Sequence, residues 1–559
     1  MKINNCLSAF SFVFIILLSQ NNSIAQKLAS GPQVLSFFSS ADDTEQPYGI
    51  YIPKNYDPAK KYPLVMMLHG AGSNHRLALK RVFGKTNATD ETDVEASRYF
   101  QEWEDVEYIV ATPLARGTSG YQGIPELDVY DVLADVKKRF NVDENRTYLT
   151  GLSMGGGGTL WIGLTRPDIW AAIAPVCAAP PAGTIDLAGN ASNYPVHFFH
   201  GDKDPVVPVE STRNWVSQMQ DLGVEVTYKE FVDVKHDSWV NAYDDEFIFG
   251  WFNQVRNPFP NEVKFSSKFY KYNKAYWVQF DKMRSGILSD ITASFKRSNT
   301  LEVKTKDLDG FTLNLKGHAK FISNQPVAFT IDGVALSSKV DSTISFIRKG
   351  NSWTISKGPV TNVVEKKNGS EGPIFDAFSS RHVYVYGTAD NPSAEELKRR
   401  LDMANEAANW SVYRGPFLGR VMFFPRVLAD TEVRASDLEN CNLILFGTKE
   451  TNSVVNKYAD KLPVHLNPAT KEYGLLYVFP VDKHYVAISS GLPWWVGVVD
   501  QGFPFVPATH RSLPEFKDLL FFKDSSKNII TEGYFTQEWR LPDSVLTTLT
   551  KSGVITISK

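Results

Sequence analysis

The pentapeptide Gly-Leu-Ser-Met-Gly at residues 151–155 constrains the fold of this chain more than any other stretch. It follows an apolar, strand-like run at 147–150 and opens a segment with helical character. A G-x-S-x-G motif in that context is typical of a nucleophile elbow, a sharp strand-to-helix turn that exposes its serine. The flanking glycines permit a turn that larger residues could not adopt. Since a Gly-rich surface turn could contain a serine by chance, the interpretation depends on the surrounding strand and helix.

The sequence around this motif alternates between strand-like and helix-like runs from about residue 35 to residue 255. Apolar runs predict buried strands at 63–68, 108–112, 146–150, 171–176 and 196–200. Between them, residues 128–140 carry apolar side chains at helical spacing. Near-continuous apolar strands separated by helices predict an α/β domain with a mostly parallel sheet covered on both faces.

The hydrophobic pattern then changes twice along the chain. A Pro-bracketed stretch at 256–261 is interpreted as a linker, and alternating runs such as 275–280, 311–315 and 343–347 predict a small antiparallel β-rich domain of sandwich type over 262–362. Mixed α/β character returns over 373–559. With a catalytic domain at 26–256, this makes three domains, as the length of 559 residues suggests.

Two strand-like runs in the last domain, at 382–386 and 443–446, each end in Gly-Thr, with a helical run at 394–410 between them. A phosphate-binding loop could begin in this way. Neither turn has the G-x-G-x-x-G or G-K-[ST] pattern, however, so both are interpreted as ordinary strand-to-helix turns of an open α/β sheet.

The N-terminus has the layout of a secretory signal peptide over residues 1–25. Lys2 precedes an apolar run at 7–18, and a polar patch ends in Ser23-Ile24-Ala25. The apolar run is short for a membrane span, which needs about 20 residues, although an uncleaved anchor is the alternative. We expect a secreted or periplasmic protein that has no membrane attachment after cleavage.

Charge and cysteine content exclude several other classes of partner. The net charge of −3 provides no basic field for nucleic acid or for an anionic membrane. Cys6 would leave with the signal peptide, and Cys177 and Cys441 are far apart, so neither a disulfide framework nor a metal site is indicated. Cys177 lies in an apolar run and is expected to be buried. We expect no metal or organic cofactor, and nothing in the sequence indicates the oligomeric state.

Three residues occur in the order that a serine hydrolase of this fold requires. A serine needs a base to take its proton and an acid to orient that base, in the chain order Ser, Asp/Glu, His. After Ser153, the run at 196–200 leads into a turn that contains Asp202 and Asp204, and the geometry of the turn favours Asp204. His236 follows the next strand and is the predicted base. The alternative for Asp204 is a helix N-cap for the segment at 209–220.

The oxyanion hole should consist of two backbone N–H groups. Met154, directly after the nucleophile, should supply one. The other should come from the turn at 69–72, where Gly70 or Ala71 could donate and Ala71 is preferred; His69 is expected to brace this loop.

The first domain resembles the exported α/β-hydrolases described as predicted peptidases, which are similar to prolyl oligopeptidase, dienelactone hydrolase and the feruloyl and acetylxylan esterases. The resemblance rests on the motifs at 68–70, 148–156, 199–208 and 236–243 and covers about two-fifths of the chain. It implies that Ser153 is the nucleophile, Asp204 the acid and His236 the base. For the regions after residue 260 we name no family; they look like the appendages of some exported bacterial hydrolases.

The resemblance determines the chemistry better than the substrate. We expect a serine esterase that forms an acyl-enzyme on a small-molecule or polysaccharide ester. The alternatives are a prolyl-oligopeptidase-like peptidase with the same triad and a non-catalytic carbohydrate-binding protein. The aromatic residues Trp103, Trp161, Trp239 and Tyr121 could line an acyl or sugar pocket or could belong to the core.

Overall fold

The computed structural model describes residues 29–244, 247–356, 365–410, 423–498 and 506–558. An eight-stranded sheet comes first along the chain, followed by two five-stranded sheets and then by a seven-stranded sheet. This architecture confirms the predicted fold class: an α/β-hydrolase domain, a β-sandwich-like domain and a C-terminal α/β domain. The boundaries 26–256, 262–362 and 373–559 stay predictions, and the signal peptide predicted over 1–25 lies outside the described residues.

The first sheet is parallel except around its second strand. Its strands are β1 (Gly31–Phe38), β2 (Glu45–Ile52), β3 (Tyr62–Leu68), β4 (Ile109–Pro113), β5 (Val142–Leu152), β6 (Ala172–Val176), β7 (Val196–Gly201) and β8 (Val226–Phe231). The order is β1-β2-β4-β3-β5-β6-β7-β8, and β2 is antiparallel to both of its neighbours. The helices are α1 (His75–Val82), α2 (Asp93–Ala96), α3 (Ile124–Arg139), α4 (Met154–Thr165), α5 (Val209–Asp221), α6 (Trp239–Ala242) and α7 (Phe247–Trp251), and a 3₁₀ helix spans Thr184–Ala191.

The core of this domain lies on both faces of the sheet. Strand β3 is buried along its whole length, with Leu64 and Met66 in one hydrophobic cluster and Val65 and Met67 in another. A strand enclosed in this way reads as a continuous apolar run, which is why the sequence predicted β3 to β7. The sequence did not predict the hairpin of β1 and β2, because Pro47 and a glycine interrupt the apolar pattern of β2.

The second domain is a sandwich of two five-stranded sheets. Its strands are β9 (Glu262–Ser267), β10 (Lys274–Ala275), β11 (Val278–Met283), β12 (Ser289–Arg297), β13 (Thr300–Lys306), β14 (Leu308–Asn314), β15 (Pro326–Ile331), β16 (Val334–Lys339), β17 (Thr343–Lys349) and β18 (Ser352–Ser356), with a 3₁₀ helix at Tyr270–Tyr272. The two sheets have the orders β10-β11-β14-β17-β18 and β16-β15-β13-β12-β9. Their inner faces contribute to one hydrophobic cluster. All pairs are antiparallel except β13 with β15, which are parallel.

One alternating run of this domain folds differently from the sequence pattern. Residues 275–280 alternate as a single strand would, but they form the hairpin of β10 and β11, in which Ala275 pairs with Val278. Tyr276 turns the chain with φ at 52°. Its hydroxyl donates to the Pro167 carbonyl at 3.0 Å, and the Trp277 indole donates to the Pro260 carbonyl at 2.8 Å. These partners outside the hairpin stabilise a turn whose four residues, 275–278, include no glycine, proline, asparagine or aspartate.

The third domain is built on a seven-stranded mixed sheet. Its strands are β19 (His382–Tyr386), β20 (Val427–Ala429), β21 (Asn442–Phe446), β22 (Val464–Leu466), β23 (Tyr473–Val481), β24 (His484–Gly491), β25 (Leu519–Lys523), β26 (Ser525–Gly533) and β27 (Ile555–Ile557). The order is β20-β19-β21-β24-β23-β25-β26, and the first four strands are parallel. Strands β22 and β27 form a separate pair.

The helices of the third domain are short, with one exception. They are α8 (Ile374–Ala377), α9 (Ala394–Ala407), α10 (Ala435–Asn440), α11 (Ser453–Tyr458), α12 (Ala508–Arg511) and α13 (Asp543–Lys551), with 3₁₀ helices at Ala459–Lys461 and Leu513–Glu515. Helix α9 is the longest, and Ser393 caps its first turn. In the described ranges, no helix has the length and apolar character needed to cross a bilayer.

Polar contacts join the first domain to the two that follow. The buried carboxylate of Glu126 on α3 accepts a hydrogen bond at 2.6 Å from the hydroxyl of Tyr272, at the start of the sandwich. Arg381, directly before β19, makes a bidentate ion pair with Asp43. The three domains therefore pack against one another as well as following in sequence.

Candidate active site

Ser153 occupies a strained turn between β5 and α4. Its φ and ψ are 54° and −116°, which is an unusual conformation for a residue other than glycine and costs about 1–3 kcal/mol. The glycines on either side are required for close packing. A Cβ on Gly151 would lie 2.3 Å from the Gly155 carbonyl oxygen, and a Cβ on Gly155 would lie 2.1 Å from the Leu68 carbonyl oxygen. The turn thus holds the serine where β3, β5 and α4 meet.

The three residues predicted for the triad come together from three separate loops. Ser153 follows β5, Asp204 follows β7 and His236 follows β8. His236 Nε2 lies 3.0 Å from Ser153 Oγ, and His236 Nδ1 lies 2.7 Å from Asp204 Oδ2. An ionised carboxylate can only accept, so Nδ1 donates to Asp204 and leaves Nε2 free to accept the proton of the serine.

Asp204 is held as an ionised acceptor. Its side chain is fully buried, and Oδ1 accepts the backbone N–H groups of Val206 at 2.8 Å and Val207 at 2.9 Å. Burial opposes ionisation, but the hydrogen bonds from His236 and from the two amides outweigh it, so the pKa of Asp204 lies below its usual value. A charged acid partner for the imidazole is therefore maintained.

Two alternatives were open for the turn after β7, Asp204 as a helix cap and Asp202 as the acid partner, and the contacts of this turn support neither. Asp204 does not cap α5: the residue before that helix is Pro208, and no side chain caps its described first turn. Asp202 lies on the same turn with its Oδ2 3.8 Å from the Lys203 ammonium, and none of the hydrogen bonds of the described chain joins it to His236. Asp204 is thus the carboxylate in position to orient the imidazole.

His200 is a further contact of Asp204. It ends β7, is completely buried, and places Nε2 3.1 Å from Asp204 Oδ2 and 3.0 Å from the Val207 carbonyl oxygen. Its Nδ1 lies 2.8 Å from the Thr212 hydroxyl. Burial lowers the pKa of His200, which favours a neutral ring with its proton on Nε2. The sequence placed His200 beside the turn as a structural residue but did not indicate this hydrogen bond.

Two backbone N–H groups beside Ser153 are available to bind an oxyanion. Met154 begins α4, and its N–H has no acceptor among the described residues, as expected in the first turn of a helix. The N–H of Ala71 likewise has no acceptor in the described chain. The loop lies against the serine, because a Cβ on Gly70 would be 3.5 Å from Ser153 Cβ. The positive end of the 12-residue helix α4 points to the same place.

Three side chains hold the loop at 69–72. The imidazole of His69 is fully buried, with Nδ1 2.8 Å from the Gly70 carbonyl oxygen and Nε2 2.8 Å from the Leu114 carbonyl oxygen. Tyr121 donates to the His69 carbonyl at 2.9 Å, and Thr118 accepts the Gly72 N–H at 2.9 Å. The sequence offered no signal for the roles of Tyr121 and Thr118, because each lies about fifty positions from its partner.

Cys177 lies behind the triad. Its thiol, one Asp204 carboxylate oxygen and one His236 nitrogen all lie within 4.8 Å of one another, which is a spacing that could suit a metal ion. Burial raises the pKa of Cys177 to about 12, so the thiol is protonated in this arrangement. Asp204 and His236 are also already hydrogen-bonded to each other. The grouping is better described as a hydrogen-bonded triad with a neutral thiol packed beneath it.

Of the four aromatic residues proposed for a pocket, Trp239 contacts the triad, and Tyr121 contacts the loop at 69–72 instead. Trp239 is half-buried, and its ring packs edge-on against His236 with the centroids 5.5 Å apart. Trp103, Trp161 and Tyr121 are at most 8% exposed and belong to the hydrophobic clusters of the domain.

Two family models match this part of the chain. Residues 39–182 match a model described as "Putative esterase", and residues 127–246 match one described as "Phospholipase/Carboxylesterase". Together they cover residues 39–246, beginning in the turn before β2, and include Ser153, Asp204 and His236. The first domain is an esterase-like α/β-hydrolase. The strand order of this hydrolase domain, with β2 antiparallel and the nucleophile after β5, fits that assignment.

Individual relatives cover the same region. "Probable feruloyl esterase C" from Aspergillus terreus (strain NIH 2624 / FGSC A1156) is 22% identical over 199 residues, which are 34% of this chain and 66% of that protein. This chain therefore spans just under two thirds of that curated relative.

Solved structures similar to the hydrolase domain include two esterases. A thermostable esterase is 27% identical, with a TM-score of 0.32 and coverage of 40% of this chain and 63% of that chain. A CE1 ferulic acid esterase from Anaeromyces mucronatus, in complex with ferulic acid, is 17% identical, with a TM-score of 0.31 and coverage of 40% and 90%.

Proposed function

We propose that this protein is a serine carboxylic-ester hydrolase that works through an acyl-enzyme, with Ser153 as nucleophile, His236 as base and Asp204 as the acid partner. One observation carries the proposal: His236 hydrogen-bonds Ser153 through one ring nitrogen and Asp204 through the other, at 3.0 Å and 2.7 Å. A serine hydroxyl becomes an effective nucleophile when a base so placed removes its proton as it attacks.

The reaction proceeds in two half-reactions. Ser153 Oγ attacks the ester carbonyl while its proton moves to His236 Nε2, and the N–H groups of Met154 and Ala71 bind the oxyanion of the tetrahedral intermediate. The intermediate collapses, the alcohol leaves with the proton from His236, and the acyl group stays on Ser153. A water molecule then attacks the acyl-enzyme by the same route and releases the acid.

We propose acylated polysaccharides or similar polymers as the substrates, and secretion to the cell exterior or the periplasm. The sequence pattern of residues 1–25 supports export. The similarity to a protein described as a feruloyl esterase supports an aromatic acyl group. The half-buried ring of Trp239 beside His236 offers such a group an aromatic surface.

The test compares ester turnover by the wild-type chain with turnover by Ser153→Ala, using p-nitrophenyl acetate and methyl ferulate. We expect Ser153→Ala to lower the turnover of both esters by at least about 10⁴-fold. The control is Ser217→Ala, an exposed serine on α5, which should retain wild-type rates. Unchanged turnover in Ser153→Ala would contradict the mechanism.

A second assay separates the proposal from its alternatives. A fluorophosphonate probe should label the folded protein, with the label on the peptide that contains Ser153. Cleavage of a peptide library without ester turnover would show a peptidase with the same triad. Failure of the probe to label the folded wild-type chain would favour a non-catalytic binding protein.

A further inference from the structure

A cavity of about 530 Å³ lies in the third domain, and all of its lining residues belong to that domain. Helix α9 and the loops after β21, β22 and β24 form its walls. Its volume is within the range of small-molecule pockets, about 300–1,000 Å³. Nothing in the proposed ester hydrolysis uses this cavity.

The cavity lies where open α/β sheets bind ligands. In the sheet, β19 has β20 on one side and β21 on the other, and all three are parallel. From β19 the chain therefore goes first to β20 on one side of the sheet and then to β21 on the other side. Ligands of such sheets bind beyond the carboxyl ends of the strands at this change of direction. The turn at Gly447-Thr448, directly after β21, lines the cavity at this edge.

Thr448 has a buried hydroxyl for which the described part of the chain supplies no hydrogen-bond partner. The residue is 8% exposed, and its Oγ1 makes no hydrogen bond to any described part of the chain. The turn does not need this hydroxyl, because the Thr448 N–H donates to Thr451 Oγ1 at 2.9 Å. Buried hydroxyls are normally paired. A ligand in the cavity can supply the missing partner.

The charged residues that line the cavity are mostly cationic. Arg400 is fully engaged by Asp390, Glu396 and the Gly387 carbonyl, and it holds the wall in place. Arg399 contacts Glu396 through Nε and Nη2, which leaves its Nη1 without an acceptor among the described residues.

Lys471 is the other cation of the lining. It is exposed and makes no ion pair within the described ranges. Glu396 is the single acidic residue of the described lining, and its carboxylate is already bound by the two arginines. The lining therefore has unused positive charge and no unused negative charge.

We propose that this cavity is a binding site for a small organic anion that carries a carboxylate or phosphate group. Lys471 and Arg399 supply the cations, Thr448 supplies a hydrogen bond, and Met403 and Leu492 line the less polar part. The proposal does not depend on esterase activity.

The test is calorimetric titration of the full-length chain with three probes: inorganic phosphate, glucuronate, and glucose as the uncharged counterpart of glucuronate. We expect phosphate or glucuronate to bind with a Kd of about 1 mM and glucose to bind at least about tenfold more weakly. Whichever anion binds more tightly identifies the ligand group.

Variants place the binding at the cavity. Thr448→Val and Lys471→Ala should each weaken binding of the anion about tenfold, which corresponds to the loss of one charge-assisted contact. Lys551→Ala, an exposed lysine on α13, is the matched control and should bind like the wild type. Thr448→Ser keeps the hydroxyl and should retain binding, and thermal unfolding of Thr448→Val shows whether that variant is folded.

Three results would overturn the proposal. The first is that neither anion gives a heat of binding at about 10 mM. The second is that glucose binds as tightly as glucuronate. The third is that anion binding is unchanged in both Thr448→Val and Lys471→Ala.

Discussion

Replacing Asp204 with asparagine changes one atom and should disable the base. In the structure, Asp204 Oδ1 accepts two backbone N–H groups, at 2.8 Å and 2.9 Å. The amide oxygen of an asparagine would take that position, because the two backbone N–H groups are fixed donors, whereas His236 and His200, which face Oδ2, can each move the ring proton to the other nitrogen. The NH₂ group would then point at His236 Nδ1 and donate to it. The imidazole would carry its proton on Nε2, facing Ser153, and could no longer accept the proton of the serine.

We expect this variant to lower kcat for p-nitrophenyl acetate about 10⁴-fold, the effect of a wrong tautomer in a serine triad, which is about 5 kcal/mol of transition-state free energy. The matched control is Asp202→Asn, on the same turn, which makes no hydrogen bond to His236 within the described chain and should keep wild-type kcat. Circular dichroism and thermal unfolding would check that both variants fold. The reasoning fails if Asp204→Asn stays within tenfold of wild type or if Asp202→Asn is the inactive variant.

Three further outcomes follow from the packing and the charges. Gly155→Ala should destabilise the protein by about 3 kcal/mol or more, because its Cβ would lie 2.1 Å from a backbone carbonyl of β3. The Cβ of Gly250→Ala would meet no described atom within 4 Å, so this change should alter the free energy of unfolding by at most about 1 kcal/mol in the stabilising direction; equal effects of the two variants in urea unfolding would contradict the packing argument. Because folding lowers the pKa of Asp204, its ionised carboxylate stabilises the fold at pH values above its unfolded-state pKa of about 3.9, and this stabilisation is lost as the pH falls. The Tm of the wild type should therefore fall more steeply than that of Asp204→Asn between about pH 5 and pH 3; parallel slopes would argue against it. Lys366→Met leaves the buried carboxylate of Asp518 without its ion-pair partner and should cost about 3–5 kcal/mol by denaturant unfolding, whereas a cost below about 1 kcal/mol would show that the pair is not needed.

Much of the hydrolase domain could be predicted because its signals are local. Strands such as β3 are buried on both faces and appear as unbroken apolar runs. The glycines around Ser153 and the chain order of Ser153, Asp204 and His236 indicated a serine hydrolase before any contact was known. Where the local pattern misled, as in the hairpin of β10 and β11, the turn at Tyr276 is stabilised by a hydrogen bond to the Pro167 carbonyl, more than a hundred positions away.

The sequence alone therefore determined the fold class of the hydrolase domain and the chemical types of its candidate catalytic residues, because periodicity, glycine spacing and residue order are properties of the chain. The sequence favoured Asp204 over Asp202, but only the tertiary structure decided that this carboxylate lies 2.7 Å from His236, that His200 also contacts it, and that the buried Thr448 hydroxyl has no hydrogen-bond partner among the described residues. Each of these depends on distances and burial between segments that packing brings together, and no local pattern records them.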